Sequence, residues 1–403
     1  MTRLLRVGLA LALCFIAVGI VTVPPALADV GASDGTGAQE EHEGPTYSSP
    51  DSSEVTGEGY EQVSLDLGAA VEADAQQLHA EHDRRVFAAR LDAADSTAER
   101  EQVAEQRLAT IQQRYERLAA REDILLNDYG SRELNDQLFL RELVGLRAAI
   151  EAQATLQDQV TTVEPAPDRM LNYEATLMAD QPVTETVRTG IRSADSDPAV
   201  YIQTGEATVI LATVDKSGIN GGTYTRQAIR QDGRNLSVGT EADQFRVDGE
   251  LGVALAFDRA AELYTWEFDN FVQQGQEIQQ GKVYGIRVEH TRGLLRTYLD
   301  GATTDVFHEI QTQPLRSVEF TSRVVNSTSE VNVNVERTRE TGPMRITVTE
   351  AGNLDPIDDV TVQMNGNTVG TTDDDGELWL VQPRVTPTVT VTTPDGETVM
   401  IDV

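Results

Sequence analysis

Apolar side chains recur at helical spacing between residues 62 and 163. Steps of three and four residues place side chains on one face of a helix, and two stripes follow this rhythm: Ala104, Leu108, Ile111, Tyr115, Leu118 and Leu125, then Phe139, Leu143, Leu146 and Ile150. The stretch contains no proline and is dense in Ala, Leu, Glu, Arg and Gln, which are strong helix formers. We predict an antiparallel helical hairpin or three-helix bundle over residues 61–163.

Short polar motifs predict where these helices begin and end. Ser96 followed by Glu99 matches a capping box, so a separate helix should precede it over about residues 66–94. Gly130 suits the left-handed position after a helix, and Ser131 suits an N-cap. The helices that carry the two stripes should therefore reverse direction there.

The hydrophobic period changes from helical to alternating after Pro165 and Pro167. Alternation over short β-branched runs is typical of strands, and four such runs are Ala207 to Val214, Glu250 to Phe257, Lys282 to Glu289 and Val331 to Val335. Turn signals separate them, at Asn220-Gly221-Gly222, Asp232-Gly233, Asp248-Gly249 and Asp300-Gly301. Residues 164–342 are therefore predicted to form a β-sandwich or a mixed, β-dominated domain.

A compact unit of short strands is predicted over residues 343–403. Its strands are Arg345 to Thr349, Val360 to Met364, Glu377 to Leu380, Thr388 to Thr392 and Glu397 to Val403. Their connections suit tight hairpin turns, at Asn365-Gly366, Asp373-Asp374-Asp375-Gly376 and Pro394-Asp395-Gly396. This unit should be a small β-sandwich, so the whole chain is expected to be an α+β multidomain protein.

Two runs in this last unit resemble the carboxypeptidase regulatory-like family, whose fold is a transthyretin-like β-sandwich. The runs are Pro356-Ile357-Asp358-Asp359-Val360-Thr361-Val362 and Val369-Gly370-Thr371-Thr372-Asp373-Asp374-Asp375-Gly376-Glu377-Leu378-Trp379-Leu380. The resemblance implies a non-catalytic accessory or stalk element. Upstream, Gly59-Tyr60 and residues 65–71 and 82–85 resemble a group of secreted haloarchaeal proteins of unknown function, a likeness that implies no chemistry.

The N-terminal residues predict export. Two arginines precede an uncharged apolar run from Val7 to Val23, and Ala26-Leu27-Ala28 follows it. This order is typical of a secretory signal peptide over residues 1–28, cleaved after Ala28. An uncleaved membrane anchor is the alternative, although the run is shorter than the ~20 residues that span a bilayer comfortably. Residues 29–60 are poor in apolar side chains and are predicted to be a disordered acidic tether.

The charge balance narrows the environment and the partners. The chain has 66 Asp and Glu against 32 Lys and Arg, a formal net charge of −34, and its lysines are Lys216 and Lys282 alone. This composition predicts adaptation to high salt, where the Debye length falls to about 3 Å at 1 M and carboxylate repulsion is screened. An acidic protein of an ordinary habitat is the alternative. Nucleic acid is not an expected partner, since its phosphates would be repelled.

Residues with catalytic or metal-binding chemistry are few. Cys14 is the single cysteine and lies in the apolar run, so no disulfide or thiolate site is expected in the mature chain. The five histidines are His42, His79, His82, His290 and His308. Neither a Gly-x-Ser-x-Gly elbow nor a phosphate-cradling Gly-x-x-x-x-Gly-Lys motif occurs. We therefore predict no catalytic, cofactor-binding or metal-binding residues, and no cofactor.

Three patterns leave a second interpretation open. His79 and His82 could share a Zn²⁺ with a carboxylate from a neighbouring helix, or they could simply face solvent. The acidic run Asp373–Glu377 could hold Ca²⁺, or it could only form a turn. Asn235 and Asn326 begin Asn-x-Ser/Thr sequons in predicted loops and are candidate glycosylation sites.

These observations favour a non-enzymatic, exported cell-envelope or secreted interaction protein of a halophile. The helical region would bind a protein partner or self-associate, the β modules would act as a stalk, and no integral membrane span would remain in the mature chain. A cation- or ligand-binding adhesion module is the first alternative. The second is a secreted hydrolase, which would need His290 or His308 as its base.

Overall fold

The α+β fold class is confirmed. A computed structural model describes residues 44–50, 54–163, 181–193, 198–216, 221–235, 240–246 and 252–403, all within one compact unit. The predicted signal peptide, residues 1–28, lies outside the described residues, as does most of the predicted tether. Helices of the first part pack on a large antiparallel sheet, and a smaller β-sandwich follows.

The helices are α1 (Leu67–Asp92), α2 (Thr97–Gly130), α3 (Asp136–Thr161), α4 (Pro182–Gly190), α5 (Gly252–Leu263) and α6 (Thr265–Asp269). The strands of the large sheet are β1 (Val55–Gln62), β2 (Ala199–Gly205), β3 (Thr208–Asp215), β4 (Thr223–Arg230), β5 (Phe271–Gln280), β6 (Val283–His290), β7 (Gly293–Asp300) and β8 (Val306–Pro314). Those of the sandwich are β9 (Ser322–Ser327), β10 (Val331–Arg337), β11 (Pro343–Glu350), β12 (Thr361–Met364), β13 (Asn367–Thr371), β14 (Glu377–Val381), β15 (Thr388–Thr392) and β16 (Thr398–Asp402).

Each of the three bundle helices begins at a residue whose side chain caps it. Asp66 caps α1 by accepting the N–H of Ala69 at 3.0 Å. The predicted capping box is confirmed, since the Ser96 hydroxyl accepts the N–H of Glu99 at 3.2 Å. The carboxylate of Glu99 accepts in return the N–H of Asp95, at 2.8 Å.

The predicted roles of Gly130 and Ser131 are wrong. The N–H of Ser131 bonds to the carbonyl of Asn127 at 2.9 Å, so the helical pattern runs through Gly130. The left-handed residue is Arg132, with a φ of 64°, and Asn135 caps α3. The reversal itself is confirmed, and α2 and α3 pack antiparallel.

The two predicted apolar stripes form the seam of a three-helix bundle. All their members are buried except Leu118, which is half-buried. The same apolar core continues into the sheet through Val200, Ile202, Val209 and Leu211. One face of the sheet is therefore covered by the bundle.

The sheet has the strand order β1-β2-β3-β4-β8-β7-β6-β5, and every pairing is antiparallel. Its edge strand β1 corrects the prediction that residues 29–60 are disordered throughout. Tyr60 pairs with Tyr201 in register, and the two rings meet edge to face at 5.4 Å. A strand with little apolar content is stabilised here by ladder hydrogen bonds and aromatic contact.

The predicted strand Glu250–Phe257 is wrong, because its described part begins α5 instead. Ala256 and Ala260 are fully buried, and Val253 and Phe257 pack beside them. Spacings of three and four residues continue to Leu263, so the short apolar run belongs to a helical period. Helix α5 covers the face of the sheet opposite the bundle, against Ile286, Val288 and Leu295.

The C-terminal sandwich begins earlier than predicted. Its two sheets have the orders β14-β11-β10-β9 and β13-β12-β15-β16, so the expected boundary at 342/343 falls inside a sheet. Val333 and Val335 on β10 share one apolar core with Ile346 and Val348 on β11. The predicted turn at Asn365-Gly366 is confirmed by positive φ at both residues, 50° and 85°.

Candidate interaction surface

Helix α1 packs on its neighbours mainly through small side chains. Its buried residues are Ala69, Ala73, Ala80 and Phe87. Alanines bring helix axes close together but cover little area, so the space on both sides of α1 stays open to solvent. The helix thus forms a ridge between two grooves.

The outward face of α1 carries large apolar side chains without cover. Leu67, Val71 and Leu78 are 69%, 67% and 68% exposed, and Val86 is 44% exposed. Their spacing puts Leu67, Val71 and Leu78 on one side of the helix. Scattered exposed leucines are ordinary, but a stripe on one helix is a feature of surfaces that bind another protein.

The first groove lies between α1, α2 and α3 and has a volume of about 520 Å³. Its floor is apolar, made by Ala80, Leu118, Ala149 and Ala152. Its walls are polar, made by Gln76, His79, His82, Asp83, Arg114, Arg117, Arg121 and Gln153. The α2 wall therefore presents three guanidinium groups in a chain with a formal net charge of −34.

Ion pairs hold two of these three arginines in place. Arg114 contacts the carboxylate of Asp83 at 2.7 Å, and Arg107 contacts the same carboxylate at 3.3 Å. Partial burial raises the pKa of Asp83, but the two arginines outweigh that effect and the pKa is lowered. Arg121 pairs with Glu142 at 2.6 Å. Within the described part of the chain, Arg117 has neither a hydrogen bond nor an ion pair, and it is exposed.

The second groove lies on the other side of α1 and has a volume of about 730 Å³. Its charges are matched within the groove: Glu81 pairs with Arg84 and Arg85, Glu151 with Arg188, and Asp74 with Arg192. The two grooves therefore differ in their charges. In the first groove one arginine of the α2 wall, Arg117, has no ion pair with a described residue, whereas the charges named in the second groove are paired.

The structure places His79 and His82 on the wall of the first groove. Both are exposed, and arginines rather than carboxylates dominate their surroundings. Among residues 44–403, leaving aside the stretches not described, no group of three His, Cys, Asp or Glu side chains is arranged to hold a metal ion. The histidines suit hydrogen bonding to an anion better than zinc binding.

The acidic run Asp373–Glu377 forms the predicted turn. Gly376 has a φ of 68°, and the Asp373 carboxylate accepts the N–H groups of Asp375 and Glu377, each at 3.1 Å. Burial opposes ionisation of Asp373, but the ammonium group of Lys216 and the backbone donors outweigh it and lower its pKa. The carboxylate is thus occupied by the turn and by Lys216.

His290 and His308 are buried on opposite faces of the large sheet. The ring of His290 meets Trp266 edge to face at 5.2 Å, and that of His308 stacks on Tyr298 at 5.5 Å. The strand register places His290 on the same face of the sheet as Gln311 of β8. His308 lies three residues before Gln311 on that strand. Because side chains alternate between the two faces along a strand, His308 lies on the other face. Burial lowers the pKa of His290 to about 4 and that of His308 to about 3, with Arg292 and Arg296 adding to the respective shifts.

The two sequon asparagines differ in exposure. Asn326 is exposed near the end of edge strand β9, not in a loop as predicted, and its side-chain amide donates to the carbonyl of Met400 at 2.7 Å. Asn235 is half-buried, and its N–H donates to Asp300 at 3.2 Å. The other residues of its sequon, 236 and 237, lie outside the described residues. Use of either sequon stays a prediction.

A buried ionic cluster, which sequence patterns did not indicate, lies on the face of the sheet opposite the bundle. Arg226 on β4 and Glu309 on β8 form an ion pair at 2.5 Å and are both fully buried. The second carboxylate oxygen of Glu309 accepts the hydroxyl of Tyr264 at 2.7 Å and the N–H of Ser48 at 2.8 Å. Arg226 and Glu309 are 83 residues apart, so no local motif could have revealed them.

The cluster binds the entry segment, defined here as residues 44–50. Arg226 donates to the carbonyl of Ser48, and Glu267 accepts the N–H of Thr46 at 2.6 Å. Burial raises the pKa of Glu267 to about 8, with a smaller contribution from Glu309. These groups are enclosed by the chain itself, in contrast to the open groove on the bundle.

Comparison with known families finds a match for three parts of the chain. Residues 322–400 match an archaeal fibronectin-III type-like domain, which agrees with the sandwich beginning at β9. Residues 200–319 match a family of unknown function (DUF7094), and residues 1–206 match a domain of unknown function (DUF7096). Because the last match covers more than half of the chain, the protein belongs to the family defined by the DUF7096 domain.

No curated protein and no solved structure matches the chain. Among the described residues, no helix combines the length and the apolar character needed to cross a bilayer.

Replacing His308 with Phe should make stability less sensitive to acid. The unfolded chain binds a proton at this histidine below about pH 6.5, but the folded chain does so only near pH 3. The contribution of His308 to the free energy of unfolding is therefore fully present above pH 6.5. It is lost as the pH falls towards 3, by about 1.4 kcal/mol per pH unit. Unfolding free energies between pH 7 and 4 should fall less steeply in His308→Phe than in the wild type. The exposed residue His79 supplies the control, His79→Phe, and identical slopes in all three proteins would contradict the assignment.

Proposed function

We propose that this protein is a non-enzymatic, exported cell-envelope or secreted interaction protein of a salt-adapted cell. The three-helix bundle binds a partner protein, and the sheet and sandwich hold the bundle out as a rigid spacer. One observation carries the proposal: α1 carries an exposed apolar stripe and also forms one wall of a groove lined with arginines. Both features lie on the same helical module.

The location of the buried ionic groups supports a non-enzymatic role. Arg226, Glu309 and Glu267 could serve acid–base chemistry if a substrate reached them, since a carboxyl pKa near 8 is typical of catalytic sites. However, each is fully buried and is bonded to the entry segment or to neighbouring strands. Their geometry is that of a structural anchor.

Export and salt adaptation rest on the sequence. The segment Val7–Val23 with its flanks has the order of a signal peptide, and the excess of carboxylates favours solubility in molar salt. The fibronectin-III-like sandwich agrees with a stalk role. The narrower resemblance of this sandwich to carboxypeptidase regulatory-like modules points to the same role.

Photo-crosslinking in the native host tests the proposed interaction surface. A photoreactive residue at Leu78 should give a discrete adduct, whereas the same residue at Leu354 on the sandwich should not. The comparison is matched, because both leucines are 68% exposed. The mass of the adduct identifies either a second copy or a different protein. Equal yields at both positions, or none at Leu78, would reject the bundle as the binding module.

Hydrolytic turnover that disappears in His290→Ala would reject the non-enzymatic role.

Intact mass measurement tests export and glycosylation together. Protein recovered from the medium or the cell surface should lack residues 1–28 and carry a glycan that Asn326→Gln removes, because Asn326 is exposed. The half-buried Asn235 provides the comparison variant, Asn235→Gln. A chain that retains Met1 and stays in the cytoplasm would rule out export.

A further inference from the structure

We propose that the groove between α1, α2 and α3 binds carboxylate side chains of an acidic segment in the partner protein. The inference rests on the proposed function and names the chemistry that the partner must offer. The argument depends on three properties of the groove: the alignment of its arginines, the free hydrogen-bond donors on its walls and its apolar floor.

The arginines of the groove form a single row. Arg114, Arg117 and Arg121 are separated by three and four residues, so they lie along one face of α2. Asp83 is the single acidic residue that lines this groove. On a chain with a net charge of −34, this makes the groove a local positive site within a negative surface. Acidic ligands are attracted to such a site while the rest of the surface repels them.

Arg117 is the donor best placed to engage a ligand. A guanidinium carries five N–H donors and matches a carboxylate in a two-pronged geometry. Some of the N–H donors of Arg114 and Arg121 are already engaged, with the carboxylates of Asp83 and Glu142 respectively. Arg117 donates no hydrogen bond to any described residue, and it lies between the other two arginines in the row. Short contacts of this kind persist when salt screens long-range attraction.

The opposite wall adds further hydrogen-bonding side chains. His79 and His82 extend from α1 into the groove lining, both exposed and without a hydrogen bond to any described residue. Gln153 on α3 lies at the back of the groove, where its carbonyl oxygen accepts from Arg114 at 3.4 Å. A carboxylate between the α1 and α2 walls would find donors on both sides.

The floor and rim suit a polypeptide segment. Ala80, Leu118 and Ala152 offer an apolar floor for the aliphatic parts of Asp and Glu side chains. On the other side of α1, the exposed Leu78 lines the second groove and can contact an apolar residue of the same partner. The volume of about 520 Å³ fits a few side chains rather than a whole domain.

Anionic lipid offers related chemistry but fits the surface less well. The arginines line one wall of a groove between helices, whereas a bilayer presents its phosphates in a plane. A planar anionic surface would also meet the net negative charge of the whole chain. The geometry therefore favours a peptide carboxylate over a lipid phosphate.

Fluorescence anisotropy with a labelled peptide tests the inference on the full mature chain. The probe is a twelve-residue peptide that alternates Glu with Ala and Leu, and its partner probe carries Gln in place of every Glu. Measurements are made at the lowest salt concentration in which the protein remains folded. The Glu peptide should bind, and the Gln peptide should bind at least tenfold more weakly.

The variant Arg117→Gln should weaken binding of the Glu peptide by about tenfold, the loss expected when a charge-assisted hydrogen bond is removed. Arg117 has no partner among the described residues, so the change should leave folding intact. The control is Arg100→Gln, an exposed arginine on the same helix outside the groove, which should bind as the wild type does.

Three outcomes would overturn the inference: equal binding of the Glu and Gln peptides, equal effects of the two arginine variants, or Arg117-dependent binding of phosphatidylglycerol vesicles in place of the peptide. A specific adduct at Leu78 together with any of these results would leave the proposed function standing and reject only the carboxylate groove. Loss of the Leu78 adduct with retained, Arg117-dependent peptide binding would reject the proposed function instead.

Discussion

The ion pair between Arg226 and Glu309 is the constraint on which the rest of the structure depends. Two charges removed from water must be fully paired and hydrogen-bonded, or the folded state loses several kcal/mol. Neighbouring strands β4 and β8 supply the pair, but they cannot supply all its remaining partners. Tyr264 and the entry segment donate the further hydrogen bonds to the Glu309 carboxylate. The hydroxyl of Thr341, just before the sandwich strand β11, accepts a hydrogen bond from Arg226 at 3.3 Å. One buried site therefore fixes the positions of four separate parts of the chain.

This arrangement divides the molecule into a closed side and an open side. On the closed side, α5, the entry segment and the sandwich cover the sheet, and the buried carboxylates of Glu267 and Glu309 accept N–H groups of the entry segment. On the open side, the bundle leaves α1 as a ridge because its contacts are made by alanines. A rigid closed side makes a good support for an exposed binding surface, since interface groups held on a fixed scaffold lose little freedom on binding.

Local signals in the sequence predicted those parts of the fold that local chemistry determines. Ser96 caps α2 and Asn365-Gly366 forms a tight turn, because each motif satisfies its own backbone. The failures are of a different kind. The apolar run near Ala256 is too short for its spacing to distinguish a strand from a helix. Segment β1 forms a strand because Tyr60 contacts Tyr201 on the neighbouring strand. The arginine row was also missed, because its meaning comes from α1 and α3, which enclose it. His79 and His82 were noticed, but only the fold shows that arginines surround them.

The central claim is that the Arg226–Glu309 pair holds the architecture together, and a comparison of two arginine variants tests it most directly. Arg226→Met leaves Glu309 buried without its counter-ion, whereas Arg287→Met removes an exposed pair with Glu289 on β6. Denaturant unfolding in molar salt should show a loss of about 3–5 kcal/mol for the first variant and less than about 1 kcal/mol for the second. Equal, small losses in both variants would contradict the account.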